Sequence, residues 1–486
     1  MEEQFIAHIS DSGKVQSVAE HSLNTAAAAA DFSIAELRQI NYLCGLLHDV
    51  GKYSSEFQRR IRGENIRVEH SICGALEAAK LEGKGTPLTL LLQLCIAGHH
   101  SGIPDCGVKN NTPDMPTLFG RLRRNPGDFG GYSSELDIER VAPEPFTALL
   151  IKDCKTTADV VEKFAFFVRY CFSCLTDADS LDTAKFCEEA LPEPLRCSFE
   201  RCEASLDAKL GGFKAMTEIH TARSKLQEQA FARIGESSNI YLMNMPTGSG
   251  KTLASMRCAL KRVLASNGRL RRIIYVIPYN SIIDQTALTF EGLFSEHTDF
   301  LRQQSSFVYE EQSELSEDSK AAFSAACENW DAGIVITTAV QFFESLYGDK
   351  RGKLRKVHNM ANSVIVLDEA HLMPREYLEP CLRGIGYITK YLNSQALFLT
   401  ATMPDFRSLL ERCAEGGLSV TDLIDDTSDF EKFRKCRFSD LGEMSDEVLV
   451  QKASGYASSL IVVNSRRKAA ELYKLCPGEK YHLSTY

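Results

Sequence analysis

The first two hundred positions carry apolar residues at helical spacing. In ELRQINYLCGLLHDVGK, Ile40, Leu43 and Leu47 fall on one stripe, and VEHSICGALEAAKL and VVEKFAFFVRYCFSCL behave in the same way. A stretch rich in Gly, Pro, Asn and Asp, from Gly102 to Pro145, reads as a loop-rich insertion. From about Asn239 the period changes. Short β-branched runs (NIYLMNM, RIIYVIP, AGIVITT, SVIVLDE and ALFLTAT) alternate with helical stretches. Continuous apolar strands separated by helices predict a parallel sheet covered on both faces. After Pro404 a polar, acidic connector leads to the strand-like run SSLIVVN, a helix and YHLST. The expected architecture is multidomain: an all-α domain over residues 1–205, an α/β lobe over 206–425, and the incomplete beginning of a second α/β lobe over 426–486.

Composition agrees with this picture. A chain of 486 residues, 44% apolar and 25% charged, supports about three packed domains and excludes wholesale disorder. No apolar run approaches the roughly 20 residues needed to cross a bilayer, and the start, MEEQFIAHIS, is acidic and lacks a leader's apolar core. A cytoplasmic protein is expected. The 16 cysteines are scattered through apolar patterns, where Cys44, Cys95 and Cys258 read as small core residues. The pair Cys171 and Cys174 lies within a helical pattern and has no second pair, so a zinc ribbon is not expected. The net charge of −10 argues against a wholly basic surface. Four local basic clusters (Arg59 to Arg67, Arg121 to Arg124, Lys261 to Arg272, Lys350 to Lys356) read first as solvated faces and loops.

Chemistry enters at Met245-Pro-Thr-Gly-Ser-Gly-Lys-Thr252, between a strand and a helix. Thr247, Gly248, Ser249 and Gly250 would form a turn whose amides, with the helix N-terminus, make an anion site. Lys251 would reach the β- and γ-phosphates, and Thr252 would ligate Mg²⁺. A second strand ends in Asp368-Glu369-Ala370-His371. There Asp368 can hold Mg²⁺ and Glu369 can orient and deprotonate an attacking water. A third strand ends in Thr400-Ala401-Thr402, hydroxyls placed to sense the γ-phosphate. This series resembles superfamily-two helicases of the DEAH-box type over Ala222 to Pro404. The resemblance implies a first RecA-like lobe using ATP and Mg²⁺, with IYVIPYNSIIDQ and TTAVQFFESL along a nucleic-acid strand. It leaves Arg223 and Gln227 both open as the adenine-recognition residue.

The N-terminal half carries a different chemistry. His48-Asp49-Val-Gly51-Lys52 ends an amphipathic helix, with Gly51 placed as terminator. His21, His70, the pair His99-His100 and Asp179 complete a set of seven nitrogen and oxygen donors, enough for two metals sharing a carboxylate. Five full turns separate Val161 from Asp179, which puts Asp179 on the stripe of Val161, Val168 and Phe172 and Asp177 on the polar side. A carboxylate on the buried stripe needs a partner, so Asp179 is the expected ligand. The constellation resembles the HD superfamily of metal-dependent phosphohydrolases, and the double His99-His100 its two-metal members. The resemblance implies one ion on His21, His48, Asp49 and Asp179, a bridging Asp49, and a second ion on His70, His99 and His100. Lys52 would neutralise charge developing on the phosphate, against the plainer reading of a surface lysine after a helix cap. Nitrogen-rich ligation suits Mn, Fe, Co or Ni.

Together the two halves resemble the CRISPR-associated nuclease-helicases of type I interference systems, with QFFESL pointing to the I-C-like branch. The resemblance implies recruitment by a crRNA-guided surveillance complex to the displaced single strand of an R-loop, nicking of that DNA at the HD site, and ATP-driven 3′-to-5′ translocation. The second lobe's arginine fingers would lie beyond Tyr486, so weak ATP binding and no unwinding are expected of these residues alone. Two other readings stand beside this one: an HD phosphohydrolase of nucleotides with an attached ATPase regulator, and a truncated adaptor that does not cut.

Overall fold

A computed structural model describes residues 5–187, 192–213, 216–303, 316–402, 404–413 and 417–483. The chain divides into two compact units, Met1–Phe433 and Arg434–Tyr486.

The first unit opens with a short antiparallel hairpin, β1 (Ile6–Ile9) and β2 (Val15–Ser17), where only helices were expected. A helical bundle follows. Ser17 caps the helix Val18–Phe32 by accepting a hydrogen bond from the Glu20 amide. The alanines of this helix let the next one, Arg38–Leu47, approach closely. A Cβ on Gly45 would stand 2.4 Å from the Ala26 Cα. Ile40, Leu43 and Leu47 are buried as their spacing predicts. The helices Ser71–Leu81 and Pro87–Gly98 and the long helix Thr157–Cys187 complete the bundle. Residues 102–142 are largely irregular, with a short α-helix, Leu118–Arg121, and a 3-10 turn, Gly130–Ser134.

Seven parallel strands form the sheet of the α/β lobe. They are β3 (Ile240–Asn244), β4 (Arg272–Ile277), β5 (Phe300–Gln303), β6 (Ile334–Thr338), β7 (Ser363–Leu367), β8 (Gln395–Thr400) and β9 (Val420–Asp422), in the spatial order β5-β6-β4-β7-β8-β3-β9. Every residue of β4, β6, β7 and β8 is buried, as in a sheet with helices on both faces. The edge strands β5 and β9 were not anticipated. Because β7, β8 and β3 are neighbours, the loops at their carboxyl ends, which carry the three chemical motifs, open at one place.

The second unit contains the helices Asp446–Ser454 and Arg466–Leu475, joined by a Lys468–Asp446 ion pair at 2.6 Å. The run SSLIVVN, expected as a strand, pairs with nothing among the described residues, and its Leu460 and Val462 are about four-fifths exposed. An apolar sequence becomes a strand only where a neighbour takes up its backbone groups. Of YHLST, the last two residues lie outside those described. No described helix is long and apolar enough to cross a membrane.

Candidate metal centre and nucleotide site

The seven donors reach one place from the ends of helices. His48 is the C-cap residue of Arg38–Leu47, His99 that of Pro87–Gly98, and His70 precedes Ser71–Leu81. His21 projects from the first turns of Val18–Phe32, and Asp179 from the long helix. Gly51 does not terminate a helix in the left-handed conformation. It sits in a 3-10 turn, Val50–Tyr53, pressed so closely on the next segment that a Cβ would lie 2.2 Å from the His70 carbonyl oxygen. That contact holds His70 beside Asp49.

Asp49 is central and buried. Its Oδ1 lies 3.4 Å from His70 Nε2 and 3.5 Å from His99 Nε2, while its Oδ2 lies 3.4 Å from His21 Nε2 and 3.2 Å from His48 Nε2. Asp179 Oδ1 stands 3.4 Å from His21 Nε2. His100 Nε2 is 2.7 Å from His70 Nε2. Two donor sets result, Asp49-His70-His99-His100 and His21-His48-Asp49, each with its ligand atoms within 4.8 Å of one another.

Supporting groups turn the imidazoles toward this centre. His48 Nδ1 and His99 Nδ1 donate to the carbonyls of Gly45 and Ile96, both at 2.7 Å, which leaves Nε2 as the free lone pair of each. His21 Nδ1 lies 2.6 Å from Asp182 Oδ2, which also accepts from Gln16 Nε2 at 2.8 Å. Burial alone would lower the His21 pKa, but the carboxylates of Asp179, Asp182 and Asp49 outweigh it and hold it at about 10. Burial likewise opposes ionisation of Asp49, yet His48 and Lys52 keep its carboxyl well below the usual range. Burial pushes His100 down to about 2. The carboxylates of Asp49, Asp179 and Asp182 are thus ionised and turned toward the imidazoles. The donors fit a metal: Asp49 Oδ1 and His99 Nε2 are buried without a hydrogen-bond partner while facing each other across 3.5 Å.

Three features differ from the sequence expectation. Lys52 is not a surface lysine; it is buried, with Nζ 2.7 Å from Asp49 Oδ2 and 3.3 Å from His8 Nε2. Asp177 is buried rather than on a polar side, bound by Arg355 at 2.8 Å and Asn329 at 3.1 Å. Val161, assigned to the same stripe as Asp179, is 60% exposed, because the first turns of the long helix pack through Val160, Lys163 and Phe164 instead. Sequence reading also passed over His8, Gln16 and Asp182. The only local signal was Asp182, one turn beyond Asp179 on the same helix face.

In the α/β lobe the phosphate-loop geometry follows from two left-handed glycines, Gly248 (φ +88°) and Gly250 (φ +85°), the second being the N-cap of Lys251–Ala265. The Ser249 hydroxyl donates to the Pro246 carbonyl at 2.7 Å, while Thr247 is exposed and Thr252 lies in the first helical turn. Arg223 and Gln227 brace the loop by donating to the carbonyls of Gly248 and Ser249, both at 3.1 Å. Lys251 Nζ makes an ion pair with Glu369 Oε1 at 2.8 Å. The other Glu369 oxygen is 3.5 Å from His371 Nδ1, and that nitrogen is 2.8 Å from Thr400 Oγ1. One polar chain thus links the phosphate loop, the DEAH segment and the TAT segment. Asp368 is held by the Glu369 amide and lies 3.4 Å from the Tyr275 hydroxyl; burial and the adjacent Glu369 push its carboxyl pKa up.

Comparison with known proteins assigns the class. Residues 18–119 match the HD domain and residues 224–409 the DEAD/DEAH box helicase, so the chain joins an HD domain to a DEAD/DEAH-box helicase domain. These two domains imply use of a metal and of ATP. The chain is 24% identical to the CRISPR-associated nuclease/helicase Cas3 of Haloferax volcanii, over 82% of its own length and 49% of that protein. Its fold is similar to that of T. fusca Cas3 in crystal structures with ATP and with AMPPNP. The TM-scores are 0.55 and 0.54 at 17% identity, covering 85% and 92% of this chain and 51% and 54% of those. The chain spans about half the length of the relatives it matches.

Proposed function

We propose that the chain is a metal-dependent endonuclease of single-stranded DNA, coupled to an ATP-dependent 3′-to-5′ DNA translocase and recruited to displaced DNA by a crRNA-guided surveillance complex. The observation that carries this reading is a single buried carboxylate, Asp49, with one oxygen toward each of two histidine sets. The 24% identity to a CRISPR-associated nuclease/helicase supports pairing a nuclease with a helicase.

In this reading His21, His48, Asp49 and Asp179 hold one ion, and Asp49, His70, His99 and His100 a second, from among Mn, Fe, Co and Ni. Ions bound there would supply Lewis acidity toward a phosphodiester and would activate a water. Gly45, Ile96 and Asp182 orient the imidazoles. Lys52, fixed on Asp49, offsets charge developing on the phosphate. In the helicase lobe Thr247 to Lys251 cradle the ATP phosphates, Thr252 and Asp368 hold Mg²⁺, and Glu369 positions and deprotonates water. Residues 1–205 then form the nuclease domain, 206–425 the first RecA-like lobe and 426–486 the start of a second.

Incubating the protein with circular single-stranded DNA and with free nucleotides, in Mn²⁺, Co²⁺ or Ni²⁺, tests this. Nicking of the DNA that disappears in His48→Ala is expected. Cleavage of nucleotides alone, or equal nicking by His48→Ala, would overturn the proposal.

A further inference from the structure

The cluster Lys350 to Lys356, read from sequence as solvated, lies against the HD domain. Arg351 Nη2 donates to Asp179 Oδ2 at 3.0 Å and to Ser180 Oγ at 2.6 Å. The other Asp179 oxygen faces His21 Nε2 at 3.4 Å and His48 Nε2 at 3.8 Å. With Oδ2 held by the guanidinium, Oδ1 alone is offered to the centre.

The preceding residues pair with the segment that follows His99 and His100 of the other donor set. The Ile103 amide donates to the Asp349 carbonyl at 2.8 Å, and Gly102, two residues after His100, forms an antiparallel bridge with Lys350. Gly102 has φ +129°, and a Cβ there would stand 2.3 Å from the Asp349 carbonyl oxygen. The segment is itself anchored, because Arg169 Nε donates to the Gly348 carbonyl at 3.0 Å.

We infer that Asp349–Arg351, a segment of the helicase lobe, is a strut that positions both donor sets of the HD centre, with Arg351 a positioning residue for Asp179. The strut sets how Asp179 presents its free oxygen and where the segment bearing His99 and His100 leaves its helix. The metal centre is then not a property of the HD domain alone: the lobe that binds nucleotide supplies part of its supporting shell. Other ion pairs between the same two domains, such as Arg383–Asp159 at 3.2 Å and Lys390–Asp153 at 2.9 Å, do not involve any donor.

This inference rests on the metal-centre reading, and the test separates the two. The full chain is titrated with Co²⁺ while its visible absorption is followed, in wild type, Arg351→Ala, Arg351→Lys and Arg383→Ala. Loss of a group that orients a ligand typically weakens metal binding about 10- to 100-fold. Arg351→Ala should show that loss together with an altered ligand-field band. Arg351→Lys, which keeps the charge without the fork, should fall between it and wild type. Arg383→Ala should match wild type in both readouts. Wild-type affinity and spectrum in Arg351→Ala, or an equal loss in Arg383→Ala, would overturn the strut. If Arg351→Ala does not fold, Arg351→Lys decides by the same criterion. A wild-type protein that takes up no Co²⁺ refutes the metal centre itself.

Discussion

Lys251, the proposed phosphate-binding lysine, is engaged by a carboxylate: its Nζ lies 2.8 Å from Glu369 Oε1. An incoming triphosphate has to displace that carboxylate and tolerate its charge nearby. Glu369→Gln keeps the shape and removes the charge, so it weakens the contact that competes with nucleotide and relieves the repulsion at once. The lysine side chain is 10% exposed and the glutamate 30%, between a surface pair and a buried one. A contribution of about 0.5–1.5 kcal/mol follows after allowing for solvent screening, equivalent to about 2- to 10-fold in affinity. Titration with a fluorescent ATP analogue should show Glu369→Gln binding more tightly than wild type by that factor, with hydrolysis reduced. Binding that is unchanged or weaker would refute the argument that this ion pair opposes the nucleotide.

Lys251→Ala should abolish nucleotide binding and spare metal-dependent nicking of single-stranded DNA, while His48→Ala should do the reverse; parallel assays on one preparation decide. Gly45→Ala places a methyl group 2.4 Å from the Ala26 Cα, so denaturant unfolding should show a loss of about 1–3 kcal/mol. His358 is buried between Ser173 and Asp177, and burial holds its pKa below the ordinary 6.5. The unfolded chain therefore takes up that proton first, so the contribution present above pH 6.5 is lost as the pH falls toward the folded value. His358→Gln should flatten the fall of the melting temperature as the pH drops below 6.5, and an unchanged slope would contradict this.

How much of this was legible from sequence follows from how local each feature is. The phosphate loop, the DEAH segment and the TAT segment are short linear motifs at the ends of strongly apolar strands, and all three open at neighbouring strand ends. The clustered candidate donors were recognisable by residue type and, for His48, His70 and His99, by positions at helix ends. His8 and Gln16 were not, because they sit on a small hairpin whose strands total seven residues, four in β1 and three in β2. The edge strands were missed for a similar reason: β5 is FLRQ and β9 is VTD, short and partly polar, without the apolar run of a central strand. SSLIVVN shows the converse, an apolar run with no strand partner among the described residues. The interface role of Arg351 and Arg355 has no local signature at all, because the carboxylates they reach on the long helix, Asp179 and Asp177, lie more than 170 residues away.

The shared carboxylate is tested most directly by electron paramagnetic resonance of the full chain titrated with Mn²⁺. Binding of two ions, with an exchange-coupled signal that is lost in Asp49→Ala, is the predicted result. A single ion, or two whose spectra are independent and indifferent to Asp49, would contradict it.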